Sequence, residues 1–310
     1  MVEIKEIEKY LDYGKCISIS NGIIEAYVTV DIGPRIIRFS FKDGNNIMNT
    51  DRVGLGQKTD DEYEGFFGKG RCWESFGGHR IWTSPESYPA TYTPDDKRID
   101  YEITKNGAVF TAPEDIEVKT QKQLEIKMDE NSASMKVFNR VKNTDIKEQE
   151  FSVWAITVCA AGGNLIIPLN TDDTGLLSNR FIAIWPYTDI KDERIIWENK
   201  YMALSQKCDK EIPIKLGFNS KKGIGYYVLG DDVFCKKYNS DHLNFRYPDG
   251  DCSFETYTNN VILEFETLNE LKVVNPGETS EHIEEWKLFK KPCEVDYNDE
   301  KSIENFISKL

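Results

Sequence analysis

Apolar and polar residues alternate along much of this 310-residue chain. The alternation is clearest over residues 124–128 and 133–141, and it is typical of strands that bury one face. Runs rich in β-branched and aromatic residues predict further strands over residues 23–30, 35–41, 151–158, 223–229, 261–268 and 281–289. Short turn-forming segments separate these runs and favour antiparallel hairpins. The pattern predicts an all-β fold of two large antiparallel sheets packed face to face.

Few segments have the helical period. The clearest helix is predicted at the C terminus, where apolar residues recur at helical spacing behind a capping Asp299 or Ser302: Ile303, Phe306, Ile307 and Leu310. A second, short helix is predicted over residues 4–11. Residues 49–98 follow neither period and are rich in glycine, acidic and aromatic residues, so they are predicted to form a long irregular segment. Such segments in compact domains usually carry function.

Length, charge and cysteine content narrow the class of protein. No linker-like or charge-rich segment divides the chain, so one domain over residues 1–310 is expected. The 53 acidic and 39 basic residues give a net charge of −14, which argues against nucleic acid and anionic membranes as partners. The seven cysteines form no C-x-x-C pair, and the N terminus lacks an apolar signal, so a cytoplasmic protein with structural thiols is expected.

Two polar clusters stand out from this background. Residues 77–86 read Gly-Gly-His-Arg-Ile-Trp-Thr-Ser-Pro-Glu, and residues 247–251, Tyr-Pro-Asp-Gly-Asp, precede the strand-like run 261–268. Histidine, arginine, tryptophan and carboxylates are the residue types that hold polyhydroxylated rings and move protons on hydroxyl oxygens. The clusters therefore predict a sugar site.

The candidate catalytic residues are Glu264, Glu266 and His79. Glu264 and Glu266 are two apart in a predicted strand, so they project from the same face. This face is either solvated or lines the concave sheet, and in the second case the neighbouring carboxylates would raise each other's proton affinity. The candidate substrate-binding residues are Arg80, Trp82, Glu86, Trp154, Trp185 and Asp249. If the site forms, His79 or Arg80 should lie within roughly 5–10 Å of one of these two carboxylates, and Trp82 or Trp154 should wall the same cavity.

The motifs also carry a family resemblance that covers nearly the whole chain. Residues 18–26, 33–39 and 44–48 resemble the N-terminal order of the galactose mutarotase-like superfamily: asparagine, strand, glycine turn and sheet-forming run. The chain is most similar to a branch with four motifs, present here at residues 77–86, 185–189 (Trp-Pro-Tyr-x-Asp), 247–249 (Tyr-Pro-Asp) and 264–268 (Glu-x-Glu-Thr-Leu). The resemblance implies a large β supersandwich.

For activity, the resemblance implies an aldose 1-epimerase-like isomerase. Mutarotases of the family interconvert sugar anomers with a glutamate base and a histidine acid. By position, Glu266 would be the base, and His79 falls where the family has a substrate-binding histidine. The family's acid histidine lies mid-chain, but residues 151–157 contain none. The alternative is therefore a non-catalytic carbohydrate-binding or sensing module, and a third hypothesis is a lyase or hydrolase that uses the two carboxylates as acid and base.

No cofactor is expected for either main hypothesis, and the expected partner is a small carbohydrate. With three scattered histidines and no Cys/His cluster, a zinc site is not predicted. A hard cation held by Asp172, Asp173 or Asp249 stays an alternative. The sequence carries no signal for the oligomeric state.

Overall fold

Two large antiparallel sheets form the core of the protein in the computed structural model, which describes residues 1–52 and 55–310. Strands and helices are numbered in chain order. Within the described residues the first sheet has eleven strands. In spatial order they are β1 (Glu3–Ile7), β2 (Cys16–Ser20), β3 (Ile24–Thr29), β4 (Ile36–Phe41), β7 (Gly78–Ser84), β12 (Gln149–Cys159), β21 (Leu263–Leu268), β20 (Phe254–Thr258), β17 (Ile214–Phe218) and β14 (Ile182–Ile184), and β22 (Lys272–Val274) pairs with β12.

The second sheet has ten strands within the same residues. In spatial order they are β15 (Ile195–Trp197), β16 (Tyr201–Ser205), β13 (Asn164–Pro168), β18 (Ile224–Leu229), β19 (Asp232–Tyr238), β23 (Thr279–Lys290), β11 (Ser134–Asn143), β10 (Thr120–Met128), β9 (Gly107–Thr111) and β8 (Asp100–Thr104). A short pair, β5 (Gln57–Lys58) and β6 (Trp73–Glu74), stands apart. The helical segments are α1 (Asp61–Phe67), α2 (Pro248–Asp251) and α3 (Glu300–Ile307).

The main core lies between the two sheets. In β23 every second residue from Ser280 to Leu288 is buried, as expected for a strand with one face on the core. Large aromatic side chains from both sheets meet there: Phe39, Phe110, Phe234, Phe265 and Trp286. Each sheet takes strands from both halves of the chain. For this reason we propose that the chain folds as one domain.

Most of the predicted elements are present. All eight predicted strand segments overlap strands of the two sheets, and α3 begins behind Asp299, whose side chain accepts a hydrogen bond from the backbone N–H of Lys301 at 3.0 Å. Ile303 and Phe306 of α3 pack on the outer face of the ten-stranded sheet. Within residues 1–52 and 55–310, none of the helices has the length and apolar character needed to cross a membrane.

Two predictions about local structure are wrong. Residues 4–11 do not form a helix, because Glu3–Ile7 pairs as an edge strand with Cys16–Ser20. Residues 49–98 are not irregular throughout, since they contain α1 and the central strand β7. Nearly every residue of β7 is buried, on both faces of the sheet, so its sequence lacks the alternation that marks a half-exposed strand. Val53 and Gly54 of this segment lie outside the described residues.

Candidate functional site

The outer face of the eleven-stranded sheet collects polar side chains from five neighbouring strands. Arg80 in β7 lies opposite Ile156 in β12, which lies opposite Glu266 in β21, which in turn lies opposite Glu255 in β20. Residues paired across a sheet share a face. The residue that follows Arg80, Ile81, points the other way into the core between the sheets. This row of side chains therefore faces away from the ten-stranded sheet.

The rows on either side extend the same face. Lys215 in β17 lies opposite Tyr257 in β20, and Tyr257 lies opposite Glu264 in β21. On the other side Trp154 lies opposite Trp82. Because residues two apart in a strand share a face, these rows stand beside the Arg80 row. Strand register alone thus brings together residues from positions 80 to 266.

A cavity of about 460 Å³ opens over this face. Seven aromatic side chains wall it: Trp73, Trp82, Tyr92, Trp154, Trp185, Tyr187 and Tyr257. The charged residues in its lining are Lys58, Arg80, Glu86, Lys215 and Glu264. Concave sites with apolar walls and a few convergent polar groups are the usual form of small-molecule sites.

Arg80 and Glu264 form an ion pair in this cavity. Arg80 Nη2 donates to Glu264 Oε1 at 3.0 Å, and both side chains are largely buried. The guanidinium carbon lies 4.4 Å from the centre of the Trp82 ring, which holds the arginine as a cation–π partner. The proximity expected between Arg80 and Glu264, and the expected tryptophan walls, are present in the structure.

Lys215 lines the cavity and binds two carboxyl groups that are buried behind the cavity wall. Its Nζ lies 2.9 Å from Glu255 Oε2 and 3.4 Å from Glu266 Oε2. Trp154 Nε1 donates to Glu266 Oε2 at 2.8 Å. Neither glutamate is exposed, and Glu266 Oε1 and Glu255 Oε1 have no hydrogen-bond partner among the residues that the structure describes. The ammonium group also lies over the rings of Trp154 and Trp185, at 4.3 and 4.8 Å from their centres.

This cluster contains two carboxyl groups, of Glu255 and Glu266, and one amine, of Lys215. The unequal numbers affect which of these groups are protonated. Burial raises the pKa of Glu266 to about 7 and that of Glu255 to about 8, although the charge of Lys215 opposes both shifts. Burial acts to lower the pKa of Lys215, but the attraction of Glu266 and Glu255 outweighs it and raises that pKa. Near neutral pH the two carboxyls therefore hold at least one proton between them, while the lysine stays charged.

His79 does not line the cavity, which corrects its expected place in the site. It points into the interior between the sheets, where its Nε2 lies 2.8 Å from Asn139 Oδ1 and its Nδ1 lies 2.8 Å from Thr157 Oγ1. Its ring packs edge-on against Trp286, with centres 4.9 Å apart. Burial lowers the pKa of His79 to about 3, so the ring is neutral. The reason is alternation, since residue 79 faces opposite to residues 80 and 82.

The glycines before His79 do not line the cavity either. Gly77 and Gly78 have φ angles of 72° and 64°, in the left-handed region that favours glycine. A Cβ on Gly77 would lie 2.4 Å from the carbonyl oxygen of Asn49, and one on Gly78 would lie 2.4 Å from that of Ile36. These glycines allow β7 to enter the sheet beside β4.

The other predicted residues divide between the cavity and its surroundings. Trp185 and Glu86 line the cavity, and Glu86 accepts a hydrogen bond from the Tyr92 hydroxyl. Asp249 lies outside it, in the turn α2, where it accepts a hydrogen bond from Ser84 Oγ at 3.0 Å.

Among the described residues, no three histidine, cysteine, aspartate or glutamate side chains are grouped so that they could hold a metal ion. Asp172 pairs with Lys221 at 3.3 Å.

Sequence reasoning missed several residues of this site. Lys215 and Glu255 belong to strands that were not predicted, and the missed aromatic walls are Trp73, Tyr92, Tyr187 and Tyr257. A signal for Lys215 exists in the sequence, since a lone lysine stands between Ile214 and Leu216 in a short apolar run. Such a polar residue inside a buried strand needs a charged partner.

Comparison with known proteins identifies the fold. No protein-family model matches the chain, and no curated protein does. A candidate aldose 1-epimerase from Klebsiella pneumoniae is similar in structure, with a TM-score of 0.60, 10% identity, and coverage of 99% of this chain and 86% of the other. A galactose mutarotase-like protein from Lactobacillus casei aligns with a TM-score of 0.53 and 11% identity over 88% of this chain and 100% of the other. A galactose mutarotase-like protein from Clostridium acetobutylicum aligns with a TM-score of 0.53 and 11% identity, over 94% of this chain and 98% of the other.

These likenesses show the fold alone, because the identities are low. The two large antiparallel sheets match those of galactose mutarotase-like structures. The predicted fold class is thereby confirmed.

Proposed function

We propose that the protein binds a carbohydrate in the cavity over the eleven-stranded sheet and interconverts its anomers, as an aldose 1-epimerase does. The observation that carries this proposal is the ion pair of Arg80 and Glu264 inside an aromatic-walled cavity that Lys215 also lines. The fold shared with candidate aldose 1-epimerases supports it.

The walls suit a sugar ring. Aromatic faces pack against the apolar C–H faces of pyranose rings, while charged and amide groups bond the hydroxyls. Trp82 and Trp154 lie edge to face with centres 5.5 Å apart, so they form a continuous wall. A cavity of about 460 Å³ has room for a monosaccharide with ordered water around it.

For the chemical step we assign the base to Glu264, because it lines the cavity and Glu266 lies behind it. Glu264 takes the proton of the anomeric hydroxyl as the bond between the anomeric carbon and the ring oxygen breaks. The Lys215 ammonium gives a proton to that ring oxygen. The open-chain aldehyde then rotates about the bond to its second carbon. Reclosure runs the same transfers in reverse, so both groups regain their starting states.

In this assignment Glu266 and Glu255 act through Lys215. Their shared negative charge keeps the ammonium in place against the indole rings of Trp154 and Trp185. A cation at this position also stabilises the negative charge that develops on the ring oxygen. His79 has no part in the step, because its ring is held between the sheets.

A second candidate function is binding without catalysis. The observation that favours it is that no histidine is among the described residues that line the cavity. Without an effective proton donor, an acid–base reaction commonly slows by ~10²–10⁴-fold. Aromatic walls and the arginine would still bind sugar.

Polarimetry tests the proposal. Freshly dissolved α-glucose, α-galactose and a uronic acid are followed with and without the protein, and acceleration with at least one sugar is expected. Glu264→Gln should keep ligand affinity and lose the acceleration, while Glu285→Gln, an exposed glutamate on the ten-stranded sheet, serves as the matched control. Binding without acceleration by the native protein would favour the binding module, and neither binding nor acceleration with any sugar would refute both functions.

A further inference from the structure

One end of the cavity carries buried hydrogen-bond donors that have no acceptor. Among the described lining residues, four buried side-chain atoms lack a hydrogen-bond partner: Arg80 Nε, Arg80 Nη1, Trp73 Nε1 and Trp82 Nε1. All four are donors. Buried donors without acceptors cost free energy, so this arrangement favours a state in which a ligand or water supplies acceptors.

The four atoms belong to one cluster. The guanidinium carbon of Arg80 lies 4.4 Å from the centre of the Trp82 ring and 5.9 Å from that of Trp73. The two indole rings are themselves 5.5 Å apart. An acceptor-rich group that entered here would lie beside all three donor-bearing side chains.

The charges near this cluster balance, so they do not repel an anion. Lys58 lines the same end, with its Nζ 3.1 Å from the Tyr92 hydroxyl and 4.3 Å from the ring centre. Two carboxylates lie nearby, and both are engaged, since Glu264 pairs with Arg80 and Glu86 accepts from Tyr92. The unpaired groups are donors alone, and they match a group that accepts hydrogen bonds and gives none.

We infer that the natural ligand is an anionic sugar, one that carries a carboxylate or a phosphate group bound at Arg80, Trp73 and Trp82. A neutral hydroxyl both donates and accepts, so it gains less from a set of donors alone. An oxyanion offers only acceptors and gains charge-assisted bonds from the guanidinium. This inference rests on the proposed function, because it names the substrate class of the same cavity.

Titration calorimetry with matched sugars tests it. The probes are galactose, galacturonate and galactose 6-phosphate, then the three corresponding glucose compounds, with acetate and inorganic phosphate alone as references. We expect at least one anionic sugar to bind at least about tenfold more tightly than its neutral counterpart. The preference should weaken with added salt. The carboxylate and phosphate arms show which of the two oxyanions the site takes.

Three variants separate the site from general charge effects. Arg80→Met should abolish the preference for the anionic sugar, and Lys58→Met should reduce it. Lys105→Met removes one positive charge at an exposed turn between β8 and β9 and should leave the preference intact. If Arg80→Met fails to fold, Lys58→Met replaces it as the test, because Lys58 is exposed and its substitution leaves the buried ion pair of Arg80 and Glu264 in place.

The outcomes distinguish this inference from the function on which it rests. Equal or tighter binding of the neutral sugars would overturn the inference and leave the proposed function standing. A preference that persists in both Arg80→Met and Lys58→Met would also overturn it. If no sugar of either kind binds, the inference and the proposed function both fall.

Discussion

Glu255 and Glu266 lie directly opposite each other on neighbouring strands, and both reach the same Lys215 ammonium, at 2.9 and 3.4 Å. Two buried acids that share one base cannot both ionise at low cost. Burial therefore raises the pKa of each carboxyl into the neutral range. This relationship makes the protonation of Glu266 sensitive to single changes around it.

Replacing Glu266 with glutamine should make Glu255 titrate at lower pH. Burial and the negative charge of Glu266 raise the pKa of Glu255 to about 8, so a neutral glutamine at position 266 favours the ionised Glu255 carboxylate. Lys215 binds Glu255 and lies over the rings of Trp154 and Trp185, so tryptophan emission against pH reports the change. Glu285→Gln is the control, and a titration that stays in place or moves to higher pH would contradict the assigned coupling.

Trp154→Phe should make Glu266 titrate at higher pH, as followed by carbon-13 NMR of the glutamate side-chain carboxyl groups. The hydrogen bond from Trp154 lowers the pKa of Glu266, so its loss should raise that pKa. The phenyl ring keeps much of the packing against Trp82. We also expect a loss of about 1 kcal/mol in the free energy of unfolding, measured with urea. Trp197→Phe, at a partly exposed indole, is the matched control. Equal shifts in both variants would show that the indole N–H has no specific effect.

Alternation explains which parts of the site the sequence could predict. Leu263 and Phe265 are apolar and lie in the core, so Glu264 between them and Glu266 after Phe265 face outward. The common face of Glu264 and Glu266 follows from that pattern. His79 had no such guide, because β7 is buried on both faces and either orientation of residue 79 fits its sequence.

Lys215 and Glu255 depend on information that a local pattern lacks. They meet Glu266 through the register of β17, β20 and β21. The pairing of β17 with β20 joins residues about forty positions apart, and a slip of one residue would turn Lys215 to the other face. The register is set by the packing of the whole sheet, which a single sequence does not display.

Gly78→Ala should destabilise the protein strongly. Its φ of 64° is unfavourable for alanine, and the added Cβ would meet the Ile36 carbonyl oxygen at 2.4 Å. Gly22→Ala is a matched control, because Gly22 also has a positive φ, of 84°, but open space around it. We expect the free energy of unfolding of the Gly78 variant to fall about 1–3 kcal/mol below that of the Gly22 variant. Equal losses would mean that only backbone conformation matters at Gly78.

The histidines between the sheets should contribute a loss of stability as the pH falls below 6.5, which Glu255 and Glu266 oppose because their pKa values are raised on folding. Burial lowers the pKa of His79 to about 3 and that of His282 to about 4. Between these values and the ordinary 6.5, the unfolded chain binds protons that the folded chain does not. Stability from this source is therefore complete above pH 6.5 and is lost as the pH falls towards 3–4. Each group contributes up to about 1.4 kcal/mol per pH unit in that window.

His79→Gln isolates the share of His79 in this loss. Glutamine can bond Asn139 and Thr157 but does not titrate, so the variant should lose less stability than the native protein between pH 6.5 and 5. Urea unfolding at these two pH values gives the comparison, because each protein is measured against itself and any constant cost of the substitution cancels. Glu284, whose pKa is held near 2 mainly by Lys236 despite its burial, ionises fully in this range and adds little to the slope. An unchanged pH dependence in the variant would mean that His79 takes up a proton in the folded protein as readily as in the unfolded chain, contrary to its placement between the sheets.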